Sequence, residues 1–211
     1  MIELVAFLGN KGFQYAANRH NAAWLLADVL PFSSSLSWRE KFHGEYASLD
    51  GSFFQKYLSD EDSVNTKKLV LADKIHFIKP NTFMNLSGES VQPAAAFFKI
   101  PPENILVVHD ELELALGQAS FKFSGGLGGH NGLRSMKACF GTADFWRLRI
   151  GIGRPDHPDI SSWVLSDFFP HEQPVLDQVL QVSAKGLIDA LLYGPKTLLP
   201  EWNKKRIAQL A

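Results

Sequence analysis

The 211-residue sequence has a single cysteine, Cys139, and no apolar run near the length of about 20 residues that a membrane-spanning helix requires. One cysteine excludes an intramolecular disulfide and the paired-cysteine zinc and redox motifs. Residues 1–8 are mostly apolar, include no basic residue of the kind that opens a signal peptide, and are followed by Gly9. We therefore interpret them as a strand and not as a signal peptide. We therefore expect a soluble cytoplasmic protein with no membrane partner.

An excess of charge of one sign is also missing, because 21 Lys and Arg residues nearly balance 22 Asp and Glu residues. Between residues 117 and 155, however, six basic residues accompany one acidic residue, so this segment carries +5 and the rest of the chain −6. The near-neutral total argues against a protein that coats nucleic acid indiscriminately. The local excess is compatible with a protein that grips one nucleic-acid end.

Several motifs of common enzyme classes are missing from the sequence. It contains no GxSxG nucleophile elbow and no GxxxxGK[ST] phosphate loop. The glycine-rich residues 125–129 do not fit GxGxxG in any frame, and the seven histidines show no HExxH or HxH spacing. These absences argue against a serine α/β-hydrolase, a Walker-type nucleotide site and a metal site.

Short apolar strand patterns alternate with helical patterns along the chain. Strands are predicted at 2–8, 68–78, 105–108, 119–123 and 145–152, and helices at 19–30, 82–98, from 131 onward and at 171–192. This alternation predicts an α/β fold, a single layered domain over residues 1–211 with a mixed, largely parallel β-sheet covered by helices on both faces. Two further segments are predicted to lie outside this alternation of strands and helices. One is a hairpin within 42–58 that turns at Asp50-Gly51, and the other is a loop insertion at about 50–67. Residues 196–211 are predicted to form a C-terminal tail.

Polar residues cluster in four loop segments, and the predicted strands place Gly9-Asn10 and His109-Asp110, with Gly153-Arg154 as a further candidate, at one edge of the sheet. The clusters are residues 9–21, 79–88, 108–112 and 125–133, the last followed by basic residues in 147–155. In such sheets a ligand site forms beyond the carboxyl ends of the strands. The asparagines, histidines and single aspartate in these clusters indicate metal-free acid–base chemistry.

At these clusters the sequence resembles bacterial-type peptidyl-tRNA hydrolase. The resemblance extends from residue 3 to about 170, and the clusters follow one another in the same order as in that family. The resemblance implies a monomeric, cofactor-free α/β enzyme that hydrolyses the ester between the peptide and the terminal ribose of peptidyl-tRNA. Its expected partner is the acceptor arm and 3′ end of that tRNA, with no stable protein partner. The sequence departs from the family pattern at Lys11, Asn18 and Ala22, where proline, threonine and glycine are usual.

The resemblance also implies the roles of individual residues. His20 corresponds to the general base, and an imidazole with an unperturbed pKa of ~6.5 can deprotonate water at cytosolic pH. Asp110 corresponds to the carboxylate that orients this base, and Asn10 to the amide that recognises the peptide. The resemblance implies two further sets of substrate-binding residues. Those that line the groove for the 3′ end and the peptide are Tyr15, Phe83, Met84, Asn85, His130 and Asn131. Those that contact the acceptor arm of the tRNA are Lys122 and Arg149. A helix beginning near Asn131 would add N–H groups suited to a phosphate.

Simpler interpretations stay open for several of these residues. Asn10 follows a glycine and could serve only as a turn residue, and Phe83 and His130 could be packing or loop residues. A non-catalytic RNA-binding protein on the same fold is one alternative function, favoured by the departures around His20. An esterase or amidase for small acylated compounds is another.

Overall fold

The computed structural model describes residues 1–58, 68–156 and 158–209, which form one eight-stranded sheet. The strands run in the spatial order β2-β3-β4-β1-β5-β7-β6-β8. Their bounds are β1 Leu4–Phe7, β2 Arg39–Lys41, β3 Gly44–Asp50, β4 Lys74–Pro80, β5 Ile105–Glu111, β6 Gln118–Phe123, β7 Trp146–Gly151 and β8 Lys205–Arg206. The central strands β4, β1, β5 and β7 are mutually parallel, and the outer strands on both sides pair antiparallel.

Helices cover both faces of this sheet because the central strands are apolar on both sides. The helices are α1 Ala22–Val29, α2 Gly88–Phe98, α3 Asn131–Phe140, α4 Ile160–Val164 and α5 Gln173–Tyr193. In β1, Val5 and Phe7 pack into a core with α1 and α5, whereas Leu4 and Ala6 pack into a second core with α2 and α3. The predicted fold class, a mixed and largely parallel sheet between two helical layers, is confirmed. Within the described residues, no helix is long and apolar enough to cross a membrane.

The hairpin predicted at Asp50-Gly51 is wrong. The chain reverses instead between β2 and β3, at Phe42 and His43, both of which have positive φ angles. Gly51 begins a 3-10 helix that ends at Tyr57, because aromatic side chains there pack against the core around Phe32 and cannot pair as a strand. The described part of the predicted 50–67 loop is therefore ordered as the end of β3 and this helix, and residues 59–67 lie outside the described residues.

Smaller differences concern where elements begin and end. The strand expected from residue 68 begins at Lys74, and β5 continues through Asp110 to Glu111 instead of ending at Val108. The described part of the 196–211 tail is anchored, because Trp202 is buried and β8 pairs with β6. These elements leave the parallel strands' carboxyl ends together at one edge of the sheet, where β5 delivers Asp110.

Candidate active site

A cavity of about 530 Å³ opens at the carboxyl edge of the parallel strands. Nine of the eleven site residues predicted from the sequence line it: Asn10, Tyr15, His20, Phe83, Met84, Asn85, Asp110, His130 and Asn131. They come from the loop after β1, the turn before α1, the segment between β4 and α2, the end of β5 and the start of α3. These side chains therefore meet beyond the carboxyl ends of the parallel strands, where the sequence predicted a ligand site.

His20 and Asp110 form the buried centre of the cavity wall. His20 lies in a 3-10 turn, Arg19–Asn21, that leads directly into α1, and its Nδ1 lies 2.8 Å from Asp110 Oδ1. Burial is the largest influence on the pKa of His20 and lowers it, but the charge of Asp110 and its hydrogen bond together outweigh burial, so the pKa is raised from its ordinary value. Burial likewise opposes ionisation of Asp110, yet His20 and His130 hold the pKa of that carboxyl well below its usual range.

His130 is the second imidazole that contacts the same carboxylate oxygen. Its Nε2 lies 2.9 Å from Asp110 Oδ1, while its Nδ1 accepts the backbone N–H of Gly132 at 3.1 Å as the N-cap of α3. A nitrogen that accepts an N–H bond carries no proton, so the proton of a neutral His130 is on Nε2 and is donated to Asp110. His20 correspondingly donates Nδ1–H to Asp110, which leaves its Nε2 with a free lone pair.

The same three residues are the ones that could be considered for a metal. Their nearest ligand atoms, on His20, Asp110 and His130, lie within 4.8 Å of one another. In the tautomers just derived, however, the nitrogens that face the carboxylate carry protons, and a metal ligand nitrogen must be deprotonated. A metal here would also break the cap of α3, so the arrangement fits a hydrogen-bonded proton relay better than a metal centre.

Asn10 is held rigidly by two neighbours. Its Oδ1 accepts the Met84 N–H at 2.8 Å, and its backbone exchanges two hydrogen bonds with the side-chain amide of Asn21, at 2.8 and 3.0 Å. Because the side-chain oxygen is occupied, the Nδ2 amino group of Asn10 is the part available to a ligand. Asn131 differs, because it is exposed and its Oδ1 accepts only a long bond of 3.4 Å from Arg134.

The predicted tRNA contacts Lys122 and Arg149 lie outside the cavity, on β6 and β7. Arg149 Nε donates to Glu111 Oε2 at 2.8 Å, and Glu111 itself lines the cavity. Burial, followed by the charges of Arg149 and Arg147, lowers the pKa of Lys122. A cationic cluster therefore adjoins the cavity beside Glu111.

Side chains of the protein itself occupy hydrogen-bonding groups of residues 125–129 and of the start of α3. Arg147, which is almost fully buried, donates to the carbonyls of Gly126 at 2.7 Å and Gly125 at 3.1 Å. The N–H groups of Gly132 and Leu133 that were expected to suit a phosphate are directed to His130 Nδ1. The predicted anion site at this helix N-terminus is thus taken by a side chain of the protein.

Sequence reasoning missed the far wall of the cavity. Residues of α4 and its flank, Ile160, Ser161, Val164 and Leu165, line it. Arg19 docks this segment against the His20 turn: it is fully buried, pairs bidentately with Glu172, and stacks on Trp163 at 3.7 Å. An arginine next to the predicted base was a signal, but nothing in the sequence pointed to Glu172 as its partner.

An imidazole–carboxylate pair at the carboxyl edge of a parallel sheet, facing side-chain amides, defines an α/β enzyme built for acid–base chemistry. The family profile described as peptidyl-tRNA hydrolase matches residues 4–209. Curated peptidyl-tRNA hydrolases are similar along their length. The protein from Treponema pallidum is 44% identical, covering 99% of this chain and 98% of the relative, and that from Desulfitobacterium hafniense is 41% identical, covering 88% and 91%.

Solved structures agree with this. A peptidyl-tRNA hydrolase crystallised with N-propanol is 30% identical with a TM-score of 0.82, covering 98% of this chain and 97% of that one. The peptidyl-tRNA hydrolase of Acinetobacter baumannii is 31% identical with a TM-score of 0.78, covering 100% and 97%. The chain belongs to the peptidyl-tRNA hydrolase family, and it is an enzyme of that family.

Proposed function

We propose that this enzyme hydrolyses the ester of peptidyl-tRNA with water activated by His20. The observation that carries the proposal is the His20–Asp110 contact of 2.8 Å at the wall of the cavity. Because His20 Nδ1–H donates a hydrogen bond to Asp110, the proton of the neutral ring is on Nδ1, and Nε2 can accept a proton from a water molecule. No bound metal or cofactor takes part in the proposed step.

The chemistry proceeds in two steps. In the first, water attacks the ester carbonyl carbon while His20 takes one of its protons, which gives a tetrahedral oxyanion and an imidazolium that Asp110 stabilises. In the second, the oxyanion collapses, the bond to the ribose oxygen breaks, and the imidazolium returns its proton to that oxygen. The products are a peptide with a free carboxylate and a tRNA with a free 3′ hydroxyl.

Amide donors of the cavity supply the remaining stabilisation. The Nδ2 group of Asn10 is oriented to donate to the substrate, because the amide oxygen of Asn10 is already engaged by the Met84 N–H. Asn131 is exposed and lines the cavity, so its amide is also within the proposed binding site. One preorganised donor to an oxyanion is typically worth about 3 kcal/mol of the barrier. We assign Asn10 to the peptide, and Asn85 and Asn131 to the surroundings of the scissile ester.

The tRNA would be bound by its acceptor arm and 3′ end. Tyr15 and Phe83 line the cavity and offer rings for a terminal base, with Met84 as apolar support, and His130 borders them. Lys122 and Arg149 lie in the adjoining cationic cluster, where they would meet phosphates of the acceptor arm. We further propose that the enzyme acts in the cytoplasm as a monomer.

The direct test is hydrolysis of N-acetyl-phenylalanyl-tRNA by the purified protein, followed by the release of labelled N-acetyl-phenylalanine. We expect multiple turnovers, and we expect them to persist in EDTA. Unblocked phenylalanyl-tRNA serves as the comparison and should be cleaved much more slowly. Absence of release from the blocked substrate would contradict the proposed function.

A further inference from the structure

Phe13 is an aromatic side chain that the fold presents fully to solvent. Its exposed fraction is 96%, the highest among the large apolar side chains of the described residues. Ordinary burial of such a ring is worth about 1.5–3 kcal/mol, which this position forgoes. The ring is therefore available to a binding partner without any rearrangement of the core.

The backbone that carries Phe13 is a well-defined turn. Phe13–Tyr15 form a 3-10 helix, in which Tyr15 N–H donates to the Gly12 carbonyl at 3.0 Å and Ala16 N–H to the Phe13 carbonyl at 3.2 Å. Gly12 begins the turn at a φ of 126°, a conformation that side-chain-bearing residues rarely adopt. The direction in which the backbone presents Phe13 is thus set by local structure.

This turn lies at the rim of the proposed catalytic cavity. Asn10 and Tyr15, on either side of Phe13 in the chain, both line that cavity. Two residues of chain span at most about 7.6 Å between Cα atoms, so Phe13 lies within one nucleotide's length of the cavity wall. Phe83, which lines the same cavity, is a second exposed aromatic side chain, with an exposed fraction of 63%.

A cation accompanies the exposed ring. Lys11, which is exposed, lies two residues before Phe13. An unpaired nucleotide matches both groups at once, because its base can stack on the ring and its phosphate can meet the ammonium group. The paired chemistry favours single-stranded nucleic acid.

We propose that Phe13 and Lys11 form a stacking site for an unpaired nucleotide of the tRNA 3′ strand, upstream of the terminal adenosine. The site rests on the proposed function and extends it, because it explains how the strand is held after its last nucleotide enters the cavity. Stacking is sequence-tolerant, since every base has a π-face, so the site serves all tRNAs alike. It belongs to the rim and takes no part in the chemical step.

The test compares two substrates that differ only in their RNA. One is N-acetyl-phenylalanyl-tRNA and the other is the same acyl group esterified to adenosine alone. For Phe13→Ala we expect KM on the tRNA substrate to rise about tenfold with kcat retained, as loss of one stacked base predicts, and kcat/KM on the adenosine ester to stay unchanged. Phe13→Trp should restore the low KM.

Two further variants sharpen the comparison. Phe97→Ala is the control, because Phe97 is another exposed phenylalanine, with an exposed fraction of 63%, and lies in the last turn of α2, about 14 Å along that helix from its start near the cavity. This variant should change the kinetics on neither substrate. Lys11→Ala should reduce the slope of log kcat/KM against log salt by about 0.7 on the tRNA substrate, as expected for one phosphate of a single strand.

The outcomes separate the two proposals. If Phe13→Ala impairs both substrates equally, or if its effect follows the acyl side chain when phenylalanine is exchanged for glycine, the ring contacts the peptide and the stacking site is wrong. If Phe13→Ala changes neither substrate, the site is also wrong while the proposed function stands. If the wild-type enzyme cleaves neither substrate, the proposed function fails and the stacking site fails with it.

Discussion

At the residue scale, a single carboxylate oxygen organises the candidate site. Asp110 Oδ1 lies 2.8 Å from His20 Nδ1 and 2.9 Å from His130 Nε2, so it accepts one N–H from each ring. Two donors on one oxygen keep Asp110 ionised in spite of its complete burial. The same contacts fix the tautomer of His20, which decides whether its outward nitrogen can act as a base.

The pH dependence of kcat/KM should report this arrangement. His20 is active when neutral and its pKa is raised, so kcat/KM should rise with pH and reach half its maximum above pH ~6.5, the unperturbed value. In Asp110→Asn the charge that opposes burial is removed, so the midpoint should move to lower pH while the maximal rate falls about 10²–10⁴-fold. Initial rates between pH 5 and 9 measure both quantities. A midpoint that does not move in Asp110→Asn would show that another group controls the profile.

At the scale of elements, His130 joins the site to α3. Its Nδ1 caps the helix and its Nε2 contacts Asp110, so one ring serves both a helix start and the carboxylate. The two functions can be separated, because asparagine is a good N-cap and alanine is a poor one. This makes His130 a test of how the helix and the site depend on each other.

We expect His130→Asn to retain the stability of the wild type and His130→Ala to lose about 1 kcal/mol of unfolding free energy. Both variants remove the donor to Asp110, so both should lower kcat/KM by a similar factor. Urea denaturation and steady-state hydrolysis measure the two effects on the same preparations. Activity that follows stability, with His130→Asn fully active, would mean that the ring matters only as a cap.

A second element-scale prediction concerns His76 in β4. It is buried, its Nδ1 lies 2.7 Å from the hydroxyl of Tyr46, and its ring stacks on Phe98. Burial first, then the charges of Lys74 and Lys41, lower the pKa of His76 to about 4. Between pH ~6.5 and this value the unfolded chain binds a proton that the folded chain does not, so this residue lowers stability as pH falls.

His76→Gln should therefore lose less unfolding free energy than the wild type between pH 7 and pH 4.5. Glutamine can still bond to the Tyr46 hydroxyl, which limits the loss of stability at pH 7. Urea denaturation at the two pH values gives the comparison. Equal losses in the two proteins would assign the acid sensitivity of this part of the sheet to other groups.

The elements that could be predicted from the sequence are those whose apolar pattern is local and continuous. All four residues of β1 and the first four residues of β5 are apolar, and the α/β class followed from the alternation of such runs with helices. The predicted hairpin at Asp50-Gly51 is wrong because the Asp-Gly dipeptide is only a local turn signal, and tertiary contacts override it. Phe54 is buried against Phe32, and that distant contact decides the local conformation.

The candidate site divides in the same way. His20 and Asn131 were identified through the resemblance to peptidyl-tRNA hydrolase, and both line the cavity. The Arg19–Glu172 pair and the wall formed by α4 could not be predicted, since a buried ion pair between residues 153 positions apart leaves no local pattern. The capping of α3 by His130 was missed because histidine is not among the usual N-cap residues.

At the scale of the whole molecule, Arg19 connects the two ends of the chain. Its guanidinium donates to Glu172 at 2.6 and 3.2 Å, and the Arg19 backbone N–H donates to the Ser166 carbonyl at 2.9 Å. Glu172 directly precedes α5, the helix that covers one face of the sheet. The Arg19–Glu172 ion pair thus attaches both the turn that carries His20 and the α4 segment that lines the cavity to the main core.

Breaking this pair should be costly. Arg19→Met leaves Glu172 buried without its partner, and we expect it to lower the unfolding free energy by about 3–5 kcal/mol. The double variant Arg19→Met with Glu172→Gln removes both charges and should recover part of that loss. Chemical denaturation of the wild type, both single variants and the double variant completes the cycle. Losses that simply add would show that the two charges do not stabilise each other.

The central claim is that His20 activates the water that cleaves the ester. Single-turnover hydrolysis of N-acetyl-phenylalanyl-tRNA by saturating enzyme tests it most directly, with wild type and His20→Ala compared at pH 7.5. The account predicts a rate at least about a hundredfold lower in the variant, as loss of a general base requires, with tRNA binding retained. Undiminished cleavage by His20→Ala would contradict it.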